Sequence, residues 1–182
     1  MVSDEALMFD FQRGSREAFE ELFARYREPM CGFFRRRLEG SERAEDLAQE
    51  TFLAVIRAQA RWEPRATVRT YLYGIALKLL AAERRRVGND PLLGAVPEPG
   101  RGDATEQVLW LRQAMARLDP QEREILMLRE YEQLSYWEIA GLLRLPVNTV
   151  RSRLFRARMA LKERLEPERR LRTQAGPAGE EA

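Results

Sequence analysis

The sequence predicts an all-α protein made of two small helical domains joined by a flexible linker, the C-terminal one a helix-turn-helix. Three observations lead to this fold class. Apolar residues recur at helical spacing through most of the chain. Residues 88–105 interrupt that spacing with four glycines and three prolines in eighteen residues. Near the C-terminus, two short helical patterns flank a tight break, and the second pattern is rich in arginine.

The composition fits one or two small domains and argues against several classes of site. The chain has 182 residues, 45% of them hydrophobic, and a formal net charge of +2, which permits nucleic-acid binding. With no histidine and one cysteine, Cys31, neither a metal site nor a cofactor is expected, and Cys31 is assigned to the core. The sequence shows no signal peptide and no apolar run of membrane-spanning length, so we expect a cytoplasmic protein without membrane insertion.

The N-terminal half is predicted to be helical from about residue 16. The first helix covers residues 16–30, with Pro29 marking a break or a new first turn, and residues 32–38 continue as a basic helical segment. Ser41 is predicted to cap a long helix that runs to about residue 60. The inner stripe of that helix consists of Ala44, Leu47, Ala48, Thr51, Phe52, Val55 and Ile56.

The opposite side of this long helix carries a polar strip interrupted by one leucine. Its members are Asp46, Gln49, Glu50 and Leu53, followed by Arg57. Periodicity alone allows two interpretations of the strip. It is either a solvated polar face or a small docking surface for a basic coiled coil.

A loop over residues 61–69 precedes a further helix, predicted from about Val68 to Val87 with Thr67 as its cap. The predicted inner face of this helix consists of Leu72, Ile75, Ala76, Leu79 and Leu80. Unpaired bases stack on aromatic rings and pair with cations, and the loop and helix supply both kinds of side chain. These candidates are Arg61, Trp62, Arg65, Arg69, Tyr71, Lys78 and Arg85. For Trp62 a place in the core is an open alternative.

The C-terminal half, residues 106–166, begins with a helix from about residue 106 to Leu118. Asp119 is predicted to cap the next helix, with Pro120 in its first turn and Glu122 completing a capping box. Ile125, Leu126 and Leu128 are predicted to pack this helix. After Leu165 the helical spacing is lost, and residues 167–182 are expected to be disordered.

The helix-turn-helix is predicted from its caps and its buried stripe. Ser135 and Glu138 form a capping-box pattern at the start of a short apolar helix. A break at residues 144–146 separates it from a basic helix that starts near Val147. The buried stripe of this second helix consists of Val150, Leu154, Ala157 and Leu161.

The outward face of the basic helix is predicted to bind DNA. Its candidates are Asn148, Thr149, Arg151, Ser152, Arg153, Phe155, Arg156 and Arg158. Asn148, Arg151 and Ser152 lie near the helix start, where side chains reach base edges in a major groove, and the other arginines suit phosphates. A solvated charged face is the alternative interpretation.

Three segments resemble a known family. They are residues 46–52 (DLAQETF), 135–140 (SYWEIA) and 149–158 (TVRSRLFRAR). They resemble bacterial RNA polymerase sigma factors of the sigma-70 family, extracytoplasmic-function (ECF) type. The chain departs from the family pattern at Arg144, usually glycine, and at Phe155, often histidine. It also has Lys78 and Ala82 where many members carry asparagine and aspartate, so base preference at the −10 element does not transfer.

The resemblance implies a role for each surface. The strip on residues 46–53 would dock on the clamp helices of the polymerase β′ subunit, and residues 1–87 would melt the −10 element. The helix-turn-helix would read the −35 element and contact the β flap, with the linker running between the two domains. Core RNA polymerase, promoter DNA and an anti-sigma factor are the implied partners, and the protein would not be an enzyme.

Two further classes of function are alternatives, and the C-terminal half alone does not exclude the first of them. The first is a stand-alone helix-turn-helix regulator whose N-terminal half senses a ligand or dimerises. The second is a protein-interaction module that resembles an anti-sigma adaptor. The strip on residues 46–53 discriminates against the first, and the basic helix discriminates against the second.

Overall fold

A computed structural model describes residues 2–38, 40–88 and 106–174. Within these ranges the chain forms eight α-helices and one 3-10 turn, and no strand. The predicted linker falls outside the described residues except for Gly88. The helices are α1 Asp4–Gln12, α2 Arg16–Arg35, α3 Ser41–Ala58, α4 Val68–Arg86, α5 Glu106–Ala116, α6 Pro120–Glu130, α7 Tyr136–Leu143 and α8 Val147–Gln174, and the 3-10 turn is Gln59–Arg61. The all-α prediction is confirmed.

Helices α1 to α4 pack around one apolar core, which we call the N-terminal unit. Phe33 and Phe34 are fully buried at its centre, and the rings of Phe23 and Phe52 lie 4.8 Å apart between α2 and α3. Helix α1 was not predicted from the sequence. Ser3 caps it by accepting from the Ala6 N–H, and Met8 is completely buried.

Helix α2 passes through Pro29 without ending, so the predicted break is wrong. A proline in a helix interior removes one backbone hydrogen bond and costs about 3 kcal/mol. Tyr26 and Met30 are buried on either side of Pro29, and a break would withdraw both side chains from the core. Tertiary packing therefore outweighs the local preference.

Two details of α3 also differ from the prediction. Gly40 occupies the cap position with φ of 90°, and no side chain caps the helix, so Ser41 is its first helical residue. A positive φ of this kind favours glycine, which explains why the boundary moves by one residue. Ile56 is 40% exposed and does not belong to the inner stripe, whereas the other six predicted members are buried.

Helices α5 to α8 form the C-terminal unit, in which α5, α6 and α7 all pack on α8. Val150, Leu154 and Ala157 are buried as predicted, against Ile125 and Ile139 among others. The backbone of α8 continues to Gln174, past the point where the helical spacing of the sequence is lost. Glutamate, arginine and leucine favour helix there, and the proline and glycine that suggested disorder lie mostly in residues 175–182, outside the described residues.

The two units touch each other, which the sequence did not predict. Helix α4 packs against α7, and a Cβ atom placed on Gly74 would lie 3.3 Å from Leu142 Cδ2. Glycine at this point therefore permits the close approach of the two helices. None of the helices in the described residues is both long enough and apolar enough to cross a membrane.

Candidate functional site

The turn before α8 fixes the direction of its exposed face. The capping box predicted for Ser135 and Glu138 is present, with Ser135 N–H donating to Glu138 Oε2 at 2.8 Å. Arg144 ends α7 in the left-handed conformation, at φ 53° and ψ 46°. The Pro146 carbonyl then accepts from the N–H groups of Thr149 and Val150, which starts α8. An arginine thus takes a conformation that glycine adopts at lower cost.

The first turns of α8 present free polar side chains to solvent. Asn148, Arg151 and Ser152 are exposed, while Thr149 is half-buried. The Ser152 hydroxyl donates to the Thr149 carbonyl at 3.0 Å, so its oxygen remains available as an acceptor. Phe155 is 65% exposed on the same face, as predicted from the helical spacing. This face therefore presents hydrogen-bonding side chains of the kinds that contact base edges in a major groove.

The other arginines of α8 differ in their surroundings. Arg156 Nε lies 2.6 Å from Glu122 Oε1, and Arg158 Nη2 lies 2.6 Å from Glu130 Oε1, both near the surface. The hydrogen bond that Arg158 donates to Glu130 raises the pKa of Arg158 above its ordinary value. Arg153 is half-buried and lines a cavity of about 290 Å³ between α8 and α4. The structure therefore separates Arg153 from the exposed DNA-binding candidates, because it points toward the N-terminal unit.

The strip on α3 is accessible, as the spacing suggested. Asp46 and Gln49 are exposed, Glu50 is half-buried, and Leu53 is 46% exposed. We keep the name "α3 strip" for these four residues. The sequence did not point to the neighbouring Arg43, whose ion pairs offset part of the negative charge of the strip.

Arg43 joins the α3 strip to α4. Its Nη1 lies 3.2 Å from Glu50 Oε1 and 3.6 Å from Asp46 Oδ2, and its Nη2 lies 2.8 Å from Glu83 Oε2. Hydrogen bonds from Arg86 and Arg43 lower the pKa of Glu83 to about 2, against the opposing effect of burial. The strip is thus partly neutralised within the chain.

The basic and aromatic candidates around α4 do not form one exposed surface. Arg61, Arg65, Arg69, Lys78 and Arg85 are exposed, and Tyr71 is half-buried.

Trp62 is only 6% exposed, and its ring meets that of Phe9 edge-on at 5.2 Å. Its carbonyl also accepts from the Gln12 side-chain amide at 2.9 Å. Of the two interpretations of Trp62, the structure favours the core.

The α4 candidates border an open depression of about 670 Å³. Its floor and walls include Arg61, Arg65, Tyr71 and Lys78 from the N-terminal unit, and Leu142 from α7 closes one side. Among the described residues, no cluster of three or more side chains could hold a metal ion. The arrangement offers cations, an aromatic ring and apolar walls, which are the groups that bind unstacked bases and a nucleic-acid backbone.

Comparisons with known proteins agree in both halves of the chain. The family model "Sigma-70 region 2" matches residues 22–89, and "Sigma-70, region 4" matches residues 109–161. The RNA polymerase sigma-H factor of Pseudomonas aeruginosa is 32% identical, over 90% of this chain and 94% of the relative. The ECF RNA polymerase sigma-E factor of Escherichia coli K12 is 31% identical, over 91% of this chain and 96% of the relative.

Solved structures show the same fold. CnrH, determined in complex with the cytosolic domain of CnrY, superposes with a TM-score of 0.69 at 24% identity, covering 91% of this chain and 99% of that one. The sigma factor RpoE of Bartonella quintana, in complex with the anti-sigma factor NepR, gives a TM-score of 0.67 at 21% identity, covering 81% of this chain and 96% of that one.

A basic helix-turn-helix and a second helical unit with an accessible polar strip are the features of a DNA-binding transcription protein. The matches to both sigma regions and to full-length relatives make the assignment specific. The chain belongs to the sigma-70 family of RNA polymerase sigma factors and is of the ECF type. Promoter-directed transcription initiation is accordingly its function, and the stand-alone regulator is not favoured.

Proposed function

We propose that this sigma factor binds core RNA polymerase through the α3 strip, reads the −35 element with the start of α8, and opens the −10 element with the cations and Tyr71 around α4. The proposal divides the chain into residues 1–87, a linker over 88–105, residues 106–166 and a tail over 167–182. The observation that carries it is the exposure of Asn148, Arg151 and Ser152 on a helix whose opposite side buries Val150, Leu154 and Ala157.

The roles of the α8 side chains follow from their chemistry. Arginine matches the O6 and N7 edge of guanine, and asparagine matches the N6 and N7 edge of adenine, so Arg151 and Asn148 would choose bases. Arg156 and Arg158 would hold phosphates, exchanging their carboxylate partners for DNA. Trp137 is 73% exposed, and with Phe155 it provides apolar area for the polymerase β flap.

The role of the α4 surface rests on fewer side chains than the sequence suggested. Tyr71, Lys78 and Arg65 border the depression and would receive unstacked bases and the strand backbone. Trp62 would support this surface from beneath, because its ring packs under the loop against Phe9. The proteins NepR and CnrY bind structural neighbours of this chain, and an anti-sigma factor is therefore the proposed regulator.

The assignment as a non-enzyme is also proposed. Nucleotide addition belongs to the polymerase, and the sigma factor supplies binding energy and specificity. The protein would act in the cytoplasm because promoter DNA and polymerase are there.

The docking role is tested by reversing charge on the α3 strip. The double variant Asp46→Lys, Glu50→Lys should lose binding to core polymerase while its helical circular dichroism stays unchanged, since both side chains are near the surface. Glu20→Lys, on an exposed part of α2, is the matched control and should bind normally. If the double variant binds core with the wild-type Kd, the assignment of the α3 strip is wrong.

A further inference from the structure

We propose that α1 positions the loop between α3 and α4 for opening of the −10 element. This loop, residues 59–67, carries Arg61 and Arg65, and we call it the α3–α4 loop. Gln12 and Glu5 are its positioning residues, because they bind the backbone at its two ends. The proposal deepens the proposed role of the α4 surface and rests on it, but the hold of α1 on the loop is measurable without DNA.

One side-chain amide holds the first end of the α3–α4 loop. Gln12 is the last residue of α1, and its Nε2 donates to the Gln59 carbonyl at 2.7 Å and to the Trp62 carbonyl at 2.9 Å. The 3-10 turn begins at Gln59, and Trp62 follows its last residue, so the amide spans the whole turn. Both N–H groups of the amide are used in this way. Gln12 therefore fixes the path of the backbone as it leaves α3.

A carboxylate of α1 holds the other end of the loop. Glu5 Oε1 accepts from the backbone N–H of Val68, the first residue of α4, at 3.1 Å. The Thr67 hydroxyl accepts from the Thr70 N–H, two residues further on. The first N–H groups of a helix have no partner within it, and a negative charge is favourable at that end. Glu5 therefore fixes the point at which α4 begins.

The residues of α1 that face the loop lie on one side of the helix. Glu5, Phe9 and Gln12 occupy positions i, i+4 and i+7, and the Phe9 ring meets the Trp62 ring between the two polar contacts. Leu7, Met8 and Phe11 are buried and anchor α1 in the core of the N-terminal unit. Helix α1 therefore ties the α3–α4 loop to that core.

The middle of the loop is left open to solvent. Residues 63–66 are all exposed, and the Arg65 side chain pairs only with its neighbour Glu63, at 2.7 Å on the surface. Arg61 and Arg65 border the depression of about 670 Å³ together with Tyr71 from α4. The loop thus presents its cations from a segment whose two ends are held by α1.

Holding the ends in advance should speed the opening of DNA. A loop that has to be ordered while it captures an unstacked base loses conformational entropy at that step. The contacts of Gln12 and Glu5 move this loss to the folding of the protein. Initial promoter binding depends on α8 and on phosphate contacts in the proposed function, so we expect it to be independent of α1.

Hydrogen–deuterium exchange of the full-length protein tests the hold of α1 on the loop. Methionine is close to glutamine in size and has no N–H donor, so Gln12→Met removes both hydrogen bonds. The backbone N–H groups of residues 59–68 should exchange about tenfold faster or more, while those of α8 keep their rates. Asp10→Asn, an exposed change on the same helix, is the matched control and should leave every rate unchanged.

A second pair of variants tests the other end of the loop. Glu5→Ala removes the acceptor of the Val68 N–H and should raise exchange in residues 59–68. Glu5→Gln keeps a side-chain oxygen with the same reach, so it should restore protection. Circular dichroism verifies that each variant is folded. The two Glu5 variants decide the matter if Gln12→Met does not fold.

Promoter opening by the holoenzyme tests the use of the held loop. A fluorescent base in the −10 element of a promoter that the holoenzyme transcribes reports opening in stopped flow, at saturating holoenzyme. Gln12→Met should slow opening about tenfold, which corresponds to the entropy of ordering about one residue. The Kd for core polymerase and the Kd for initial promoter binding should stay at their wild-type values. A general loss of structure would weaken both.

The proposal is overturned if the folded Gln12→Met and Glu5→Ala variants keep wild-type exchange in the loop, or if they loosen the loop and still open the promoter at the wild-type rate. Tyr71→Ala, which leaves the contacts of α1 intact, separates this result from a failure of the proposed function. If Tyr71→Ala slows opening and the α1 variants do not, only the positioning by α1 is wrong. If none of these variants slows opening, the proposed role of the α4 surface is wrong as well.

Discussion

Replacement of Arg151 by alanine should change which −35 sequences the protein prefers. Arg151 is exposed near the start of α8, and its guanidinium lies 5.9 Å from the Tyr136 ring centroid, so the side chain is oriented without an ion pair in the described residues. Arg156 provides the contrast, because it lies five residues further along α8 and pairs with Glu122 at 2.6 Å. We therefore propose that Arg151 reads a base and that Arg156 holds a phosphate.

The expected magnitudes separate the two roles. Loss of a bidentate arginine–guanine pair costs about 1–3 kcal/mol of discrimination at one position, or roughly 5- to 150-fold in Kd. Loss of one phosphate contact weakens all sequences alike and reduces the slope of log K against log salt by about 0.9. For Arg156→Ala the loss of affinity should be smaller, because in the protein without DNA the Arg156 side chain is paired with Glu122.

The assay measures binding of holoenzyme to a panel of −35 variants at several salt concentrations. Arg151→Ala should flatten the preference at one base pair and leave the others intact. Arg156→Ala should preserve every preference. If both variants weaken binding to every −35 sequence equally, the base-reading role of Arg151 is refuted. The exposed start of α8 would then serve only to hold the DNA backbone.

Three further outcomes are expected. Trp62→Ala should destabilise the N-terminal unit by about 3–5 kcal/mol in denaturant unfolding, since its buried ring packs on Phe9; a stable variant that only slows promoter opening would restore the stacking role. The pKa of Glu83 is lowered from 4.5 to about 2, so its stabilisation is complete above pH 4.5 and is lost as the pH falls toward 2, by no more than about 3 kcal/mol. Glu83→Gln should flatten this part of the pH profile, and an unchanged profile would contradict the assigned pairing. Arg43→Gln should leave Glu83 with one partner and make the α3 strip more negative. Binding to core polymerase should therefore tighten at low salt and converge with the wild-type affinity at high salt. A change in affinity that does not depend on salt would count against an electrostatic role for Arg43.

Local sequence patterns predicted those features of the fold that local chemistry determines. The capping box at Ser135 and the buried stripe of Val150, Leu154 and Ala157 are set by residues three and four apart, and both are confirmed. Pro29 and Ser41 misled the prediction because the core around α2 and the positive φ of Gly40 overrode a local preference.

Helical periodicity in the sequence could not predict the contacts between the two units. Arg37 lies in the basic segment of residues 32–38, yet its side chain is completely buried and pairs with Glu132, 95 residues away in sequence. Arg43 was overlooked for the same reason, since its partner Glu83 lies 40 residues away. The sequence did contain one indication of these ion pairs. It was an arginine beside a predicted apolar stripe, together with acidic residues in a distant loop that had no local partner. It does not specify which pair forms.

Trp62 shows how composition can favour the wrong role. An aromatic residue among arginines is typical of a surface that stacks bases, and that pattern is present in residues 61–69. The first helix was absent from the prediction, and it is this helix that supplies Phe9 and Gln12 to cover the tryptophan. Because the prediction lacked α1, it treated Trp62 as a candidate site residue as well as a possible core residue.

Promoter-directed transcription in a purified system tests the central claim most directly. Core polymerase supplied with this protein should produce transcripts of defined start from a subset of promoters, and core polymerase alone should not. The variant Asp46→Lys, Glu50→Lys should abolish those transcripts, while Glu20→Lys should support them fully. The account would be contradicted if the isolated protein bound specific DNA without core polymerase, and if the protein and core polymerase together produced no transcript. That result would indicate a stand-alone regulator.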